Sequence, residues 1–307
     1  MKTMKDIICW FSGGITSAVA CHLAIEIFGK ERCRVIFIDT ENEDDDTYRF
    51  KSECEKWYGI GIESISMIGK TDKAKGSEYM INSIEDVWEN HMSLNTANGA
   101  ICSNILKRKA REIWQNENIY THQAFGFEFE SKEFNRATGL KVNHPMAKAI
   151  FPLLMFALSK KDCFKYIENE NIKPPTAYKL GLNNNNCLKS GCVQGGIGYW
   201  QLMEKIKPSN FDKMAEREHN LTNKRGFPVT MCKDQSNEAK DLVKTTGDKT
   251  RAFVFLKPHP DYPNIKDISM MEGRKPQPLI DCNGFCGIND LIQREEVESQ
   301  LNIEFEI

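Results

Sequence analysis

Apolar residues in the first half of the chain fall into two alternating patterns. "DIICWFS" (6–12) and "IFPLL" (150–154) read as buried strands, and "RVIFIDT" (34–40), "IESISMI" (62–68) and "IYTHQAFGF" (119–127) as further strands. Between them, residues 14–29, 45–58, 77–90 and 103–115 carry helical spacing, the first ending at Gly29, a helix-stop residue. Ser159, with Asp162 three positions on, opens a further helix as a capping box. Alternation of this kind predicts an α/β fold, a doubly wound parallel sheet with helices on both faces. After about residue 180 the pattern breaks. The stretch "LGLNNNNCLKSGCVQGGIGYWQ" (180–201) is rich in Asn and Gly, and residues 220–280 are polar with little periodicity. The expected organisation is a sheet domain over residues 1–180 and a smaller, loop-rich, Cys-bearing C-terminal region over 181–307.

Composition adds limits. The 307 residues are 40% hydrophobic and 27% charged, with a formal net charge of −2, the make-up of a globular protein with a sizeable core. Near-neutral charge gives no global attraction to nucleic acid or anionic membrane, so a nucleic-acid substrate needs a local basic patch or a partner protein. No apolar run approaches the roughly 18 residues of a membrane span, and the apolar stretch before Ser12 is too short for a signal-peptide core. The expectation is a cytoplasmic protein with no membrane association. In that compartment eleven cysteines read as core residues, metal ligands or redox groups rather than disulfides.

In parallel sheets ligands bind beyond the carboxyl ends of the strands, and two turns stand there. The first, "FSGGITS" (11–17), combines Gly13 and Gly14 with the hydroxyls of Ser12, Thr16 and Ser17 at the start of a helix. Helix N-termini present unpaired N–H groups and the positive end of the dipole, and glycines let an anion come close. A tight turn that uses glycine for conformation alone remains the other reading. No lysine follows the glycines, so this is not a Walker loop, and kinase or motor-type chemistry is disfavoured.

The two turns together resemble the PP-loop ATP pyrophosphatase superfamily, which includes PAPS reductases and many sulfur-inserting and amide-forming enzymes. "FSGGITS" is similar to its SGGxxS pyrophosphate loop, and "VIFIDTENEDDDTYRF" (35–50) to its second segment, an aspartate–threonine turn after the second strand. The resemblance implies ATP and Mg²⁺ as ligands, with Ser12, Gly13, Gly14, Thr16 and Ser17 around the phosphates. Asp39 and Thr40 would then lie near the adenosine, and Glu43 would line the same cleft. "GFEFESKEFNRA" (126–137) is similar to a further segment of PAPS-reductase-like members, which turns Glu130 and Arg136 toward nucleotide or substrate; a charged surface loop is the plainer alternative. By resemblance the catalytic set is Ser12, Ser17, Asp39 and Arg136. Many members carry a carboxylate between the second glycine and the last serine. Here Ile15 and Thr16 stand there, which puts metal handling and the rate of ATP cleavage in doubt.

"AICSNILKRKARE" (100–112) resembles a Cys-and-Lys segment of the same branch; its Lys107, Arg108, Lys109 and Arg111 are either a solvated helix face or a contact for a substrate phosphate. "NNNNCLKSGCVQGGIGYW" and "DCNGFCG" resemble its two cysteine elements. Thiolates gathered from distant turns suit soft metals, and the candidate ligands are Cys102, Cys187, Cys192, Cys282 and Cys286. A [4Fe–4S] cluster, Zn²⁺ and unliganded thiols all remain open. Cys9, Cys21, Cys33, Cys54, Cys163 and Cys232 read as structural. The Glu-Cys-Gly-Leu-His element that carries the catalytic cysteine of PAPS reductases is not found.

The resemblance therefore implies an ATP pyrophosphatase that adenylates a substrate for sulfur transfer, by analogy with DNA phosphorothioation enzymes. Its expected partners are a cysteine desulfurase and a DNA- or RNA-binding protein. A sulfonucleotide reductase, a tRNA or small-molecule thiolase, and a non-catalytic nucleotide-binding module are the alternatives.

Overall fold

The apolar residues Ile7–Phe11 form strand β1, buried along its whole length. In the computed structural model, which describes residues 5–96, 99–185 and 187–277, β1 lies at the centre of a five-stranded sheet. From β1 the chain runs through α1 (Ile15–Phe28), β2 (Cys33–Ile38), α2 (Asp45–Tyr58) and β3 (Ile62–Ile65). A hairpin of β4 (Thr71–Ala74) and β5 (Ser77–Met80) precedes α3 (Ile84–His91), and a short hairpin of β6 (Asn95–Thr96) and β7 (Gly99–Ala100) follows it. A π-helical turn at Ser103–Arg108 runs into α4 (Lys109–Glu117). Then come β8 (His122–Ala124), α5 (Ser131–Asn143), β9 (Ala149–Ile150), α6 (Pro152–Met155), α7 (Lys160–Asn169) and α8 (Thr176–Lys179). The sheet order is β3-β2-β1-β8-β9 with every neighbouring pair parallel. This is the α/β architecture that the alternation of apolar runs predicts.

Period-2 alternation divides the strand residues between two cores. Ile8, Trp10, Ile36 and Ile38 pack with α3, α4 and α5, through residues such as Trp88, Trp114 and Leu140. Ile7, Cys9, Phe11, Val35 and Phe37 pack on the opposite face with α1, α2 and α7. Both faces of the sheet are covered, so its central strands read as continuous apolar runs in the sequence.

Two sequence-based expectations need correction. Residues 77–90 are not one helix: Lys75 and Gly76 both take positive φ and turn the β4–β5 hairpin, and α3 begins only after Ser83, which forms a capping box with Asp86. "IFPLL" is not a strand of five residues. β9 ends at Ile150 and Pro152 enters the first turn of α6, a position where its missing N–H costs nothing.

The C-terminal region contributes α9 (Ile197–Ile206), α10 (Pro208–Arg225), α11 (Asn237–Thr246) and a small sheet. In that sheet β11 (Phe253–Phe255) pairs antiparallel with β10 (Cys232–Lys233) and parallel with β12 (Lys266–Asp267). Trp200, Phe211 and Val254 share the core of Ile8 and Trp10. Glu218, fully buried on α10, ties this region together: its two oxygens accept the backbone N–H of Met231 and of Leu256, each at 2.7 Å. Burial pushes its carboxyl up to about 8, against the opposing pull of those two bonds. Among the described residues no helix is long and apolar enough to cross a membrane.

Candidate functional site

Both candidate turns lie at carboxyl ends of parallel strands, as the fold requires. β1 ends at Phe11, and Ser12–Gly14 lead into α1. Gly14 is the N-cap of α1 and provides no side-chain cap, so the helix's first N–H groups are left to other partners. One of them, on Ile15, donates to the Tyr178 hydroxyl at 3.2 Å. The Ser17 hydroxyl wires the loop to itself. It accepts from the Ser12 N–H and from the Ser12 hydroxyl, each at 3.0 Å, and donates to the Gly14 carbonyl at 2.8 Å. Thr16 is buried beside it.

Two glycines here have steric work. Gly13 takes φ +83°, and a Cβ there would stand 2.6 Å from Thr47 Cγ2. At Gly126, after β8, a Cβ would stand 2.7 Å from the Ser17 Cα. Backbone therefore passes directly against the loop, and alanine at Gly126 would push the two apart.

The second turn follows β2. Asp39 Oδ1 accepts from the Tyr48 hydroxyl and from the Glu41 N–H, both at 2.8 Å. Thr40 and Glu43 face one another. The Thr40 hydroxyl reaches both Glu43 oxygens at 2.9 and 3.0 Å, and its N–H donates to Glu43 Oε2 at 3.2 Å. Burial raises the Glu43 carboxyl above the usual range; Lys107, whose ammonium is 3.7 Å away, opposes that, and Asp39 adds to it.

Lys107 itself is buried, as is Arg111, while Lys109 pairs with Asp72. The basic run 107–111 is thus not a solvated face. Its first member is turned into the protein toward Glu43.

Thr40 also borders the thiols. Its Oγ1 lies 4.0 Å from Cys187 Sγ. Cys102, Cys187 and Cys192 line one small cavity of about 20 Å³ with Thr40, Trp88 and Lys107. The structure thus gathers three of the five candidate metal ligands from segments far apart in sequence. Cys282 and Cys286 lie outside the described residues. Among the described residues no group of three or more His, Cys, Asp or Glu side chains is arranged to hold a metal ion; the thiols share a cavity without forming a coordination sphere. Beside it, sharing Thr40 and Ile84, lies a larger polar groove of about 430 Å³ between the β2 turn, the start of α3 and α10.

Glu130 and Arg136 stand differently. Glu130 is an exposed N-cap of α5 near Lys132. Arg136 is bound by Glu133 at 2.8 and 2.6 Å and lies over the Phe127 ring at 4.5 Å.

Sequence reasoning missed Tyr178 and Asn185. Asn185 is buried, and its Nδ2 donates to the Gly13 carbonyl at 2.9 Å and to the Thr47 hydroxyl at 3.0 Å. Within a run of four asparagines no local signal singles it out.

Comparison with known proteins was made on the sequence and on the fold. The profile of the phosphoadenosine phosphosulfate reductase domain matches residues 6–194. An uncharacterized protein of Methanocaldococcus jannaschii is 29% identical over 226 residues, a match covering 72% of this chain and 42% of that protein, so the chain spans less than half of its relative's length. Among solved structures, the phosphoadenylyl-sulfate (PAPS) reductase of Candida auris in its phosphate complex is 16% identical, with a TM-score of 0.42 over 60% of this chain and 82% of its own. The U34-tRNA thiolase NcsA of Methanococcus maripaludis, solved with its [4Fe-4S] cluster, is also 16% identical, with a TM-score of 0.37 over 72% of this chain and 73% of its own.

Proposed function

The chain belongs to the phosphoadenosine phosphosulfate reductase domain family of the PP-loop superfamily, and on that premise we propose that it is an ATP pyrophosphatase that adenylates an acceptor for sulfur transfer. The observation that carries the proposal is the meeting, at Thr40, of the nucleotide side and the thiol side of the molecule. The loop Ser12–Ser17 and the start of α1 hold the β- and γ-phosphates as one pyrophosphate unit. An acceptor oxygen attacks the α-phosphorus, the bond to the pyrophosphate oxygen breaks, and pyrophosphate leaves with that electron pair. Positioning and charge stabilisation supply the rate. Mg²⁺ enters with ATP. Asp39 and Thr40 flank the adenosine, and the acceptor occupies the groove of about 430 Å³, which adjoins the thiol cavity.

Cys102, Cys187 and Cys192 are the soft sulfur donors that would hold a [4Fe–4S] cluster, for which the space of about 20 Å³ between them would have to open, since as placed they form no coordination sphere. Such a cluster supplies sulfur-handling chemistry when bound. A DNA phosphate is the acceptor this reading favours, with a cysteine desulfurase as sulfur source and a nucleic-acid-binding partner delivering the strand.

Incubation with Mg·ATP and DNA, followed by product analysis, tests the reading. AMP and pyrophosphate support it; ADP and phosphate sink it. A second reading, nucleotide binding without turnover, is favoured by the absence of a carboxylate from residues 12–17, where Thr16 is buried instead. Tight ATP binding with no pyrophosphate release selects that reading.

A further inference from the structure

The C-terminal side of the chain reaches back to the phosphate loop through one side chain. Asn185 is 5% exposed, and both hydrogens of its amide are used, one on the Gly13 carbonyl and one on the Thr47 hydroxyl. The bond to Gly13 fixes its orientation, because a flipped amide would set its oxygen against the Gly13 carbonyl. Gly13 is the residue that this bond holds. It takes positive φ and packs closely against Thr47, so the loop's shape is set jointly by α2 and by Asn185.

Two positions on is Cys187, beside Thr40. Just beyond it the chain is fastened again: the Lys189 N–H donates to the Asn42 carbonyl at 3.2 Å, and Asn42 Nδ2 donates to the Ser190 hydroxyl at 2.7 Å. Cys187 thus lies on a short strap, tied at one end to the phosphate loop and at the other to the turn after β2.

We infer that Asn185 is a positioning residue that couples occupancy of the phosphate loop to the placement of the Cys187 segment. The inference rests on the ATP reading for the identity of the ligand, while the strap itself stands on the hydrogen bonds. An anion that draws in the loop's N–H groups alters the setting of the Gly13 carbonyl, and Asn185 carries the change to the thiol. The coupling is reciprocal: whatever is bound at Cys187 changes the loop's affinity for pyrophosphate by the same factor. In this way thiol chemistry is kept in step with nucleotide binding.

Hydrogen exchange read by mass spectrometry tests this on the full chain. Without ligand, Asn185→Ala should speed exchange of the Lys189 amide by about five-fold or more, with amides of β10–β12 unchanged. Thr47→Val, which removes one acceptor only, should fall between variant and wild type. Inorganic pyrophosphate with Mg²⁺ should slow exchange at residues 12–18 and at 187–190 in the wild type, but only at 12–18 in Asn185→Ala. Unchanged exchange at Lys189 in the ligand-free variant overturns the inference, as does uniformly faster exchange that includes β10–β12. Protection of 187–190 by pyrophosphate that persists in Asn185→Ala overturns it as well. If pyrophosphate protects neither segment of the wild type, the ATP reading fails, and the ligand-free comparison still decides whether Asn185 holds the strap.

Discussion

Two regions of this molecule are rich in cysteine, and they use it in opposite ways. Behind the sheet, Cys9, Cys21, Cys33 and Cys54 sit in one apolar core with α1 and α2, each no more than 1% exposed. Contact with Cys21, together with burial, holds the Cys9 thiol well above its ordinary range, and the bond to Cys9 does the same for Cys33. Burial, more than any other cause, pushes Cys54 up to about 12. On the other face, Cys102, Cys187 and Cys192 come from a π-helical turn and a Gly-rich loop, and they line a cavity that adjoins a polar groove. Residue type is the same; what differs is the element that carries it. Thiols inside the strands and helices of the sheet domain fill space, whereas Cys102, the residue before a π-helical turn, and Cys187 and Cys192, on a loop, converge on a void.

The largest expected difference is chemical. At pH 8 a thiol with its pKa near 12 carries roughly a thousand-fold less thiolate than an ordinary cysteine. With exposure acting in the same direction, alkylation of the native, metal-free protein, read peptide by peptide, should label Cys102, the partly exposed thiol, long before the buried, pKa-raised Cys9, Cys33 or Cys54. Labelling of Cys54 at a comparable rate would erase the distinction between the two regions.

Next in size is the functional split. On the cluster reading proposed above, Cys187→Ser or Cys192→Ser removes a thiolate donor and should lower bound iron by about ten-fold or more while leaving ATP binding in place. Cys54→Ser should instead leave iron content unchanged and destabilise the fold by about 1–3 kcal/mol, since a buried hydroxyl needs a partner. Iron analysis and denaturant melts of the same preparations check both halves. Equal iron loss in the two groups breaks the comparison.

These two regions also mark how far the sequence could be read. The apolar runs at 6–12 and 34–40 were legible as strands because burial on both faces leaves no polar position to confuse the period. Helix α2 was legible to the residue, since Asp44 caps it and Gly59 ends it. The hairpin β4–β5 was not, because its turn rests on Lys75 in a left-handed conformation, which lysine seldom announces. At the site, the paired turns after β1 and β2 were visible as motifs. The buried Lys107–Glu43 pair and the strap from Asn185 to Gly13 were not. Both join residues more than sixty positions apart, and only the packed fold brings them together.

Carboxylates repeat the contrast with a smaller effect. Burial raises both Glu43 and Glu218, but Glu43 faces Lys107 across 3.7 Å, while among the described residues Glu218 is met by two neutral backbone N–H groups. With a folded value of about 8 and an unfolded one near 4.3, Glu218 holds its proton more tightly when folded. Its contribution is complete below about pH 4 and is lost as pH rises toward 8, on the order of 3 kcal/mol between pH 5 and 8. Glu218→Gln should flatten that stretch of the stability–pH curve. It should also be less stable at pH 5, because its NH₂ cannot accept from Met231 or Leu256. A wild-type curve already flat from pH 5 to 8 would refute the assignment.

The smallest effect falls on the space-filling thiols and carries its own reversal. Cys54→Ala deletes one sulfur from a sealed core and leaves a void, costing about 1 kcal/mol at pH 7. The thiol also has a titration cost. Unfolded, Cys54 loses its proton near pH 8.5; folded, it keeps it to about 12. Each step of pH between those values therefore favours the unfolded wild type, by about 2 kcal/mol at pH 10. Alanine has no proton to lose and escapes this. The variant should be the less stable protein at pH 7 and the more stable one near pH 10, a crossing that urea melts at both pH values will reveal. An alanine variant that kept the same offset from wild type at every pH would show that the Cys54 thiol titrates alike in the folded and unfolded states, and would remove the sealed setting assigned to it.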